Sequence, residues 1–306
     1  MQCSVVIPTY KRPESLLACV RSLVEQTRVP DVLLIIDDDT LPSDVLVDIR
    51  SLCERVQMQV VYHQKDHQHE PQGSATSRNI GVEKSQHDIV FIFDDDIVLE
   101  PAFVASVMNE WEVNSRDEQL FAVGGIISNN RVPSRFEKFY HRIGGLGDMN
   151  TWDINAVGFQ SWNDGITETQ VGHYAHGGVC SYQKSHLASL GGFATFQGGR
   201  TALEDVEMFF KAKLAGLYTI VVPVARAWHD HHPSGREASF ATGYKEGFNR
   251  VQIYKRYAPS GIKYLLWFTW ASSAWTDRKF LTGKFAYWLG MQWGTVRSML
   301  TRATTE

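Results

Sequence analysis

Long apolar runs are missing from this chain. The longest clearly apolar stretch without charge runs from Tyr264 to Thr276, 13 residues, where a spanning helix needs roughly 20. The expectation is a protein that does not cross a membrane. Cysteine is scarce and scattered: Cys3, Cys19, Cys53 and Cys180 form no CxxC pair. That argues against a zinc site or a disulfide scaffold and for reduced, structural thiols in a cytosolic protein. No basic stretch and apolar block precede QCSVVIPTY, so no secretory leader is expected. A basic surplus is also lacking. The 30 Lys and Arg against 34 Asp and Glu give −4, and nucleic acid is not an expected partner. No GxGxxG follows the first apolar run, which removes the dinucleotide-binding oxidoreductases.

What is present is the composition of a folded chain. It is 43% hydrophobic and 21% charged over 306 residues, enough for a full core in one large domain or two ordinary ones. The first half alternates. CSVVIP, DVLLIID (31–37), MQVVYH (58–63) and HDIVFIF (87–93) read as buried strands. Between them, Pro13 opens a helix carrying Leu16, Leu17, Val20, Leu23 and Val24, Val45–Val56 reads as a second, and Ser74 caps a third that runs to Ser85. A helix is expected after Pro101. Strand and helix alternating at this spacing predict an α/β fold, a mostly parallel sheet with helices on both faces.

From 129 to 175 the pattern breaks into a segment rich in Gly, Asn and aromatics (Phe139, Tyr140, Trp152, Phe159, Trp162). It is too long for an idle connection and is read as a functional loop or small insertion, shaping an acceptor or forming a small core of its own. Regularity resumes with GGVCSYQ, a helix over Leu203–Ala215 with Leu203, Val206, Phe210 and Leu214 as its buried stripe, and strands in YTIVVPVARAWH. The last 48 residues, 259–306, hold five of the nine tryptophans and six Lys and Arg against two Asp and Glu, a local +4. Two readings stay open there: helices on a membrane surface, or helices packed on the core.

The candidate chemistry lies at strand ends. FIFDDDIVLEP puts Asp94, Asp95 and Asp96 after an apolar strand; continued extension would point Asp94 and Asp96 one way and Asp95 the other. In open α/β sheets, ligands bind beyond the carboxyl ends of the strands. Three adjacent anions want a cation among them, and a hard divalent ion is an economical one; a solvated acidic turn is the plain alternative. Asp37, Asp38 and Asp39 end an earlier strand. GSATSRNIG places Arg78 and Asn79 in the first turns of a helix, where free N–H groups and a guanidinium suit a phosphate. Glu204 and Asp205 open a helix, as its dipole favours. His229, His231 and His232 crowd four positions after a strand and could complete a metal site.

VVIPTYKRPESLLACVRSL, IIDDDT, GSATSRNIGVEKSQHDIVFIFDDDI, GGVCSYQKSHLASLGGF, ALEDVEMFFKAKLAG and WHDHHPS follow in an order that resembles family 2 glycosyltransferases with the GT-A fold, across residues 3–235. The resemblance implies a GT-A domain over 1–235, with a nucleotide-sugar half (1–128) and an acceptor and catalytic half (129–235). A helical, Trp-rich extension over 236–306 would follow, similar in kind to the C-terminal helices of bacterial members acting on lipid-linked or cell-surface glycans. It implies that Pro8, Thr9 and Tyr10 lie against the nucleotide, that Asp38 accepts from the base, and that Arg78 supports base or diphosphate. Asp94, with Asp95, would reach the ribose. Asp96 would bind a metal, Mn²⁺ or Mg²⁺, with His229 or His231, and Asp205 would be the catalytic base. UDP is the commonest nucleotide in the family. Asp39-Thr40 stand where the family carries a small residue and a serine. The partners so implied are a nucleotide-sugar donor and a glycan or lipid-linked acceptor, with 259–306 docking a cytoplasmic protein on the inner face of a membrane.

The residue chemistry agrees. Transfer of a sugar from a nucleotide diphosphate needs the leaving group neutralised, the acceptor hydroxyl deprotonated and developing charge stabilised. One candidate base without a second carboxylate placed as nucleophile implies a single displacement with inversion. Two other readings stand beside it. A nucleotidyltransferase would want a glycine-rich loop where IPTYKRPES stands without glycine. A non-catalytic binding protein could keep the fold alone.

Overall fold

The structure, a computed structural model, describes residues 1–143, 146–156, 158–196, 203–230, 239–257 and 285–301. The expected alternation is realised: β1 (Cys3–Thr9), α1 (Pro13–Val24), β2 (Val32–Asp37), α2 (Ser43–Glu54), β3 (Gln59–Gln64), α3 (Ser74–Lys84) and β4 (Ile89–Phe93) follow in turn. Pro13 sits at the first helical position of α1, where its missing N–H costs nothing. Then come β5 (Ile97–Leu99), α4 (Phe103–Val113), β6 (Leu120–Ile127), α5 (Arg135–Ile143), β7 (Asp153–Ile154), β8 (Gln160–Ser161) and β9 (Gln170–Gly172). β10 (Val179–Gln183), α6 (Lys184–Ser189), α7 (Glu204–Leu214), β11 (Tyr218–His229), α8 (Ser239–Tyr257) and α9 (Phe285–Leu300) complete the order.

The main sheet runs β3-β2-β1-β4-β10-β6-β11-β5, with β9 also on β11. β1 to β4 are mutually parallel, as their alternation with helices requires. β10 is antiparallel to both β4 and β6, so the sheet is mixed beyond β4. Its two faces bury two cores, divided by the two-residue period of the strands. Val5 and Ile7 face one with Leu33, Ile35, Phe91 and Phe93; Val6 faces the other with Leu34, Ile36, Val90 and Ile92. The four cysteines are all buried and free, as expected of structural thiols.

β11 is one long strand rather than several. Its register against β6 shifts between Val221 and Arg226, around Pro223. Its first half pairs with β9 and its end with β5, which sets His229 opposite Ile97. α7 buries Val206, Met208, Phe209 and Phe210, but Leu214, expected in the stripe, is exposed, since the helix ends there. In the 129–175 segment, Trp152 and Phe159 are buried in the core and Trp162 packs against it, whereas Phe139 is exposed.

α8 and α9 lie side by side and run parallel: Gly243 abuts Tyr287, Gly247 abuts Met291, and Gln252 bonds Ser298. Glycines make the closeness possible. A Cβ on Gly243 would sit 2.0 Å from the Tyr287 carbonyl oxygen, and one on Gly290 2.0 Å from that of Phe240. Residues four apart within each pair, Gly243 and Gly247 on α8 and Gly290 and Gly294 on α9, thus form the contact seam. Trp267, Trp270 and Trp275 of the expected aromatic tail lie outside the described residues.

Candidate active site

The acidic triplet does not continue the strand. β4 stops at Phe93, and the Ile97 amide donates to the Asp94 carbonyl (3.2 Å), closing a turn over Asp94–Ile97. The alternation expected of an extended chain is therefore lost, and Asp95 and Asp96 share one cation. Arg12 Nη1 lies 3.0 Å from Asp95 Oδ1 and 3.1 Å from Asp96 Oδ2. Asp95 also accepts from the Thr9 hydroxyl (2.8 Å) at the end of β1. Burial pushes the Asp95 carboxyl up to about 6 against the pull of Arg12 and Thr9. Pro8 and Tyr10, on either side of Thr9, are half-buried, and the Lys11 ammonium lies over the Tyr10 ring.

Asp94 faces a different cation. Arg78, in the second turn of α3, donates from Nη2 to Asp94 Oδ1 (3.0 Å) and from Nη1 to Glu204 Oε1 (3.0 Å). Burial works against its charge, but the carboxylates of Glu204, Asp94 and Asp205 outweigh that and hold it protonated. Ser74 does not cap α3. Gly73 holds the cap position at φ 126°, a conformation open to glycine, and the Ser74 hydroxyl donates to Glu204 Oε1 (2.7 Å) instead. The first turn of α7 is thereby tied to the turn after β4. Gly177 and Gly178, just ahead of β10, fit between them. A Cβ on Gly177 would lie 2.3 Å from the Asp205 Cβ, and one on Gly178 2.2 Å from Asp94 Oδ2. The glycine pair clears room for two carboxylates.

Asp96 and His229 meet through sheet pairing. β5 against β11 brings them level, the Asp230 amide donates to the Asp96 carbonyl, and Asn129 bonds both the amide and the carbonyl of His229. His229 Nε2 is then 3.0 Å from Asp96 Oδ1. This carboxylate–imidazole pair has the oxygen and nitrogen donors that could hold a borderline divalent ion. Among the described residues, no group of three or more His, Cys, Asp and Glu converges on one point. His231 and His232 lie outside the described residues.

At the far side of β2, the acids of IIDDDT separate by role. Asp37 is buried and accepts from the amides of Asp39 and Leu41 and from the Tyr62 hydroxyl, so it shapes the loop. Asp38 pairs with Lys65, whose ammonium lies 2.6 Å from Oδ1, and accepts from the Gly73 amide at Oδ2 (2.8 Å). Lys65 also donates to the Pro71 carbonyl and the Ser77 hydroxyl.

Three of these groups escape a reading by motif: Arg12, Lys65, and Glu204 as the partner of Arg78. Arg12 could have been flagged because it directly precedes Pro13 at the carboxyl end of β1. For Lys65 the signal is register. Parallel pairing sets Asp37 beside Gln64, so the next residues, Asp38 and Lys65, emerge together.

The geometry has counterparts in known proteins. The sequence profile of glycosyl transferase family 2 matches residues 4–167, and that of glycosyl transferase family group 2 matches residues 89–300. A glucosyl-dolichyl phosphate glucuronosyltransferase of Haloferax volcanii is 27% identical over 205 residues, 65% of this chain and 58% of that protein. Chondroitin synthase of Escherichia coli is 24% identical over 260 residues, 76% of this chain and 35% of that protein. The chain thus spans less than two thirds of the length of these relatives. Among solved structures, the mannosyltransferase PcManGT of Pyrobaculum calidifontis superposes with a TM-score of 0.58 at 16% identity, over 98% of this chain and 87% of that one. S. aureus TarS 1-349 in complex with UDP-GlcNAc does so with 0.57 at 14% identity, over 97% and 79%. The architecture is the GT-A fold. With the family profile aligned over more than half its length, from β1 past the acidic turn, the chain belongs to glycosyl transferase family 2.

Proposed function

We propose that this chain transfers a sugar from a nucleoside diphosphate donor to a hydroxyl of a glycan or lipid-linked acceptor, in a single displacement that inverts the anomeric carbon. The observation that carries the reading is the meeting of Asp94 and Asp205 against the Gly177-Gly178 backbone, with Arg78 between the turn after β4 and the first turn of α7. Donor-side and acceptor-side chemistry would there share one cleft. Asp205 takes the proton from the attacking hydroxyl. Asp94, the open carboxylate of the triplet, holds the ribose, while Asp95 braces the turn through Thr9 and Arg12. Pro8, Thr9 and Tyr10 border the nucleotide, and Asp38, set by Lys65 and Gly73, meets the base.

Asp96 and His229, with His231 as the alternative, would hold a divalent cation, and the imidazole favours Mn²⁺ over Mg²⁺. When bound, such an ion neutralises the departing diphosphate as a Lewis acid. The mannosyltransferase neighbour is in complex with GDP-Man and Mn²⁺ and TarS with UDP-GlcNAc; UDP is the donor nucleotide proposed here. A thermal-shift series of nucleoside diphosphates with and without Mn²⁺ reports base and metal together, because binding to the native state raises apparent stability.

The test of the chemistry is Asp205→Asn. It should lower kcat by about 10²–10⁴, the usual worth of a general base, with nucleotide binding retained. Unchanged turnover would remove Asp205 from its role, and a retained anomer identified by NMR would overturn the single displacement. Release of pyrophosphate instead of a nucleoside diphosphate would point to nucleotidyl transfer.

No helix of the described residues is long and apolar enough to cross a membrane. We place the chain in cell-surface glycan synthesis, on the cytoplasmic side, with its C-terminal helices at the bilayer. Phe285, Leu289, Trp293, Val296 and Leu300 are exposed along one side of α9, in support of that placement.

A further inference from the structure

Helix α5 is firmly started and has no fully buried residue. The Ser134 amide donates to Glu137 Oε2 (2.7 Å) and the Glu137 amide to the Ser134 hydroxyl (3.3 Å), a capping box. Arg131 grips the same carboxylate with both terminal nitrogens and holds it down to about 2, against the opposing effect of burial. Yet no residue of Arg135–Ile143 is buried. Phe136, Phe139, Tyr140 and Ile143 fall at i, i+3, i+4 and i+7 and make one apolar face. Phe136 is 64% exposed, Phe139 62% and Ile143 67%. A nine-residue helix is too short to persist alone in water and ordinarily owes its stability to the face it buries. This one has its start specified by sequence and its apolar face left open.

The charges say what covers it. From Arg131 to Ile143 there are four Arg and Lys (131, 135, 138, 142) and one Glu (137), a net of 4 − 1 = +3 in a chain whose total is −4. Arg135, Lys138 and Arg142, at i, i+3 and i+7, form a row along one flank of the apolar face. Burial lowers the His141 pKa, against a smaller opposing pull from Glu137, so at neutral pH the imidazole adds no charge. A second copy docking face to face through its own α5 would bring the same positive row and be repelled. An anionic surface that also accepts aromatic side chains fits both halves of the pattern.

We propose that α5 seats on an anionic lipid surface, with Phe136, Phe139 and Ile143 in the boundary between headgroups and acyl chains and Arg135, Lys138 and Arg142 against lipid phosphates. This goes beyond docking through the C-terminal helices and needs no assumption about donor, acceptor or catalysis, so it stands or falls apart from them. The experiment is co-sedimentation of the full-length protein with vesicles of phosphatidylglycerol and phosphatidylcholine, and with phosphatidylcholine alone. Wild type should pellet with the mixed vesicles, less so as salt is raised, and weakly with the neutral ones. F136S/F139S should reduce binding by about tenfold or more, since each ring forfeits its transfer into the interface. R135E/K138E/R142E should lose the anionic preference, and both variants should keep the wild-type Tm. L289S/W293S, on α9, should leave the α5-dependent part in place. Wild type remaining in the supernatant, or F136S/F139S binding as wild type does, would overturn the proposal. So would a dimer in size-exclusion chromatography that F136S/F139S dissolves with no vesicle binding. If F136S/F139S loses Tm as well as binding, the charge-reversal variant decides: retained anionic preference there overturns the proposal, and its loss supports it.

Discussion

Arg78 is the side chain on which the site's geometry turns. Its fork spans Glu204 on one nitrogen and Asp94 on the other, and both its own side chain and that of Glu204 are almost fully enclosed. Arg78→Leu would leave Glu204 buried without a cation. We expect a stability loss of about 3–5 kcal/mol in urea denaturation, the usual cost of breaking a buried pair from one side. Arg78→Lys should recover only part of it, because an ammonium cannot reproduce a two-pronged contact. At the same scale, burial raises the Cys53 thiol to about 11 and the Cys3 thiol to about 12 and pushes Cys19 and Cys180 higher still. All four should be protonated at pH 8 and unreactive toward a thiolate-selective reagent until urea unfolds the chain. Single residues were only partly legible beforehand. Arg78, Asp94 and Asp205 stand in recognisable strings, but nothing in the local sequence joins Arg12 to Asp95 or Lys65 to Asp38. Those contacts exist because β1 pairs with β4 and β2 with β3, a fact of strand order and not of spacing.

At the level of elements, the strands of the first half announce themselves. β1, β2 and β4 are unbroken apolar runs because both faces are covered, and their ends fall within two residues of the boundaries read from sequence. The acidic turn was the misleading case. Period-two alternation holds only to Phe93, because the turn over Asp94–Ile97 ends the extended chain before the triplet. The seam between α8 and α9 is not legible in the sequence, because the glycines of a helix look like weak points until their partner helix is known. They lead to a prediction: Gly247→Ala and Gly294→Ala should each destabilise by about 1–3 kcal/mol, the cost of overpacking, seen as a lower Tm. The added methyl would meet the Met291 or Tyr244 carbonyl. Either substitution raising Tm would contradict the seam.

At the largest scale, the described residues build one main sheet with a core on each face, and helix α8 is fastened to it through α7 and the β7–β8 connection. Tyr257 donates to the buried Glu207 (2.5 Å), and Arg250 donates to the Gly158 carbonyl (2.9 Å) with its guanidinium over the Phe159 ring. The parallel course of α8 and α9 has a practical corollary. A protein shortened after Tyr257 would not be the same molecule minus an appendage. It would bare the notch at Gly243 and Gly247, strand the Gln252 amide without the Ser298 hydroxyl, and leave the Lys255 ammonium without the carbonyls of Ser298, Met299 and Thr301. Truncation would therefore confuse lost attachment with lost shape, and questions about how this protein reaches its acceptor are better put to it one side chain at a time.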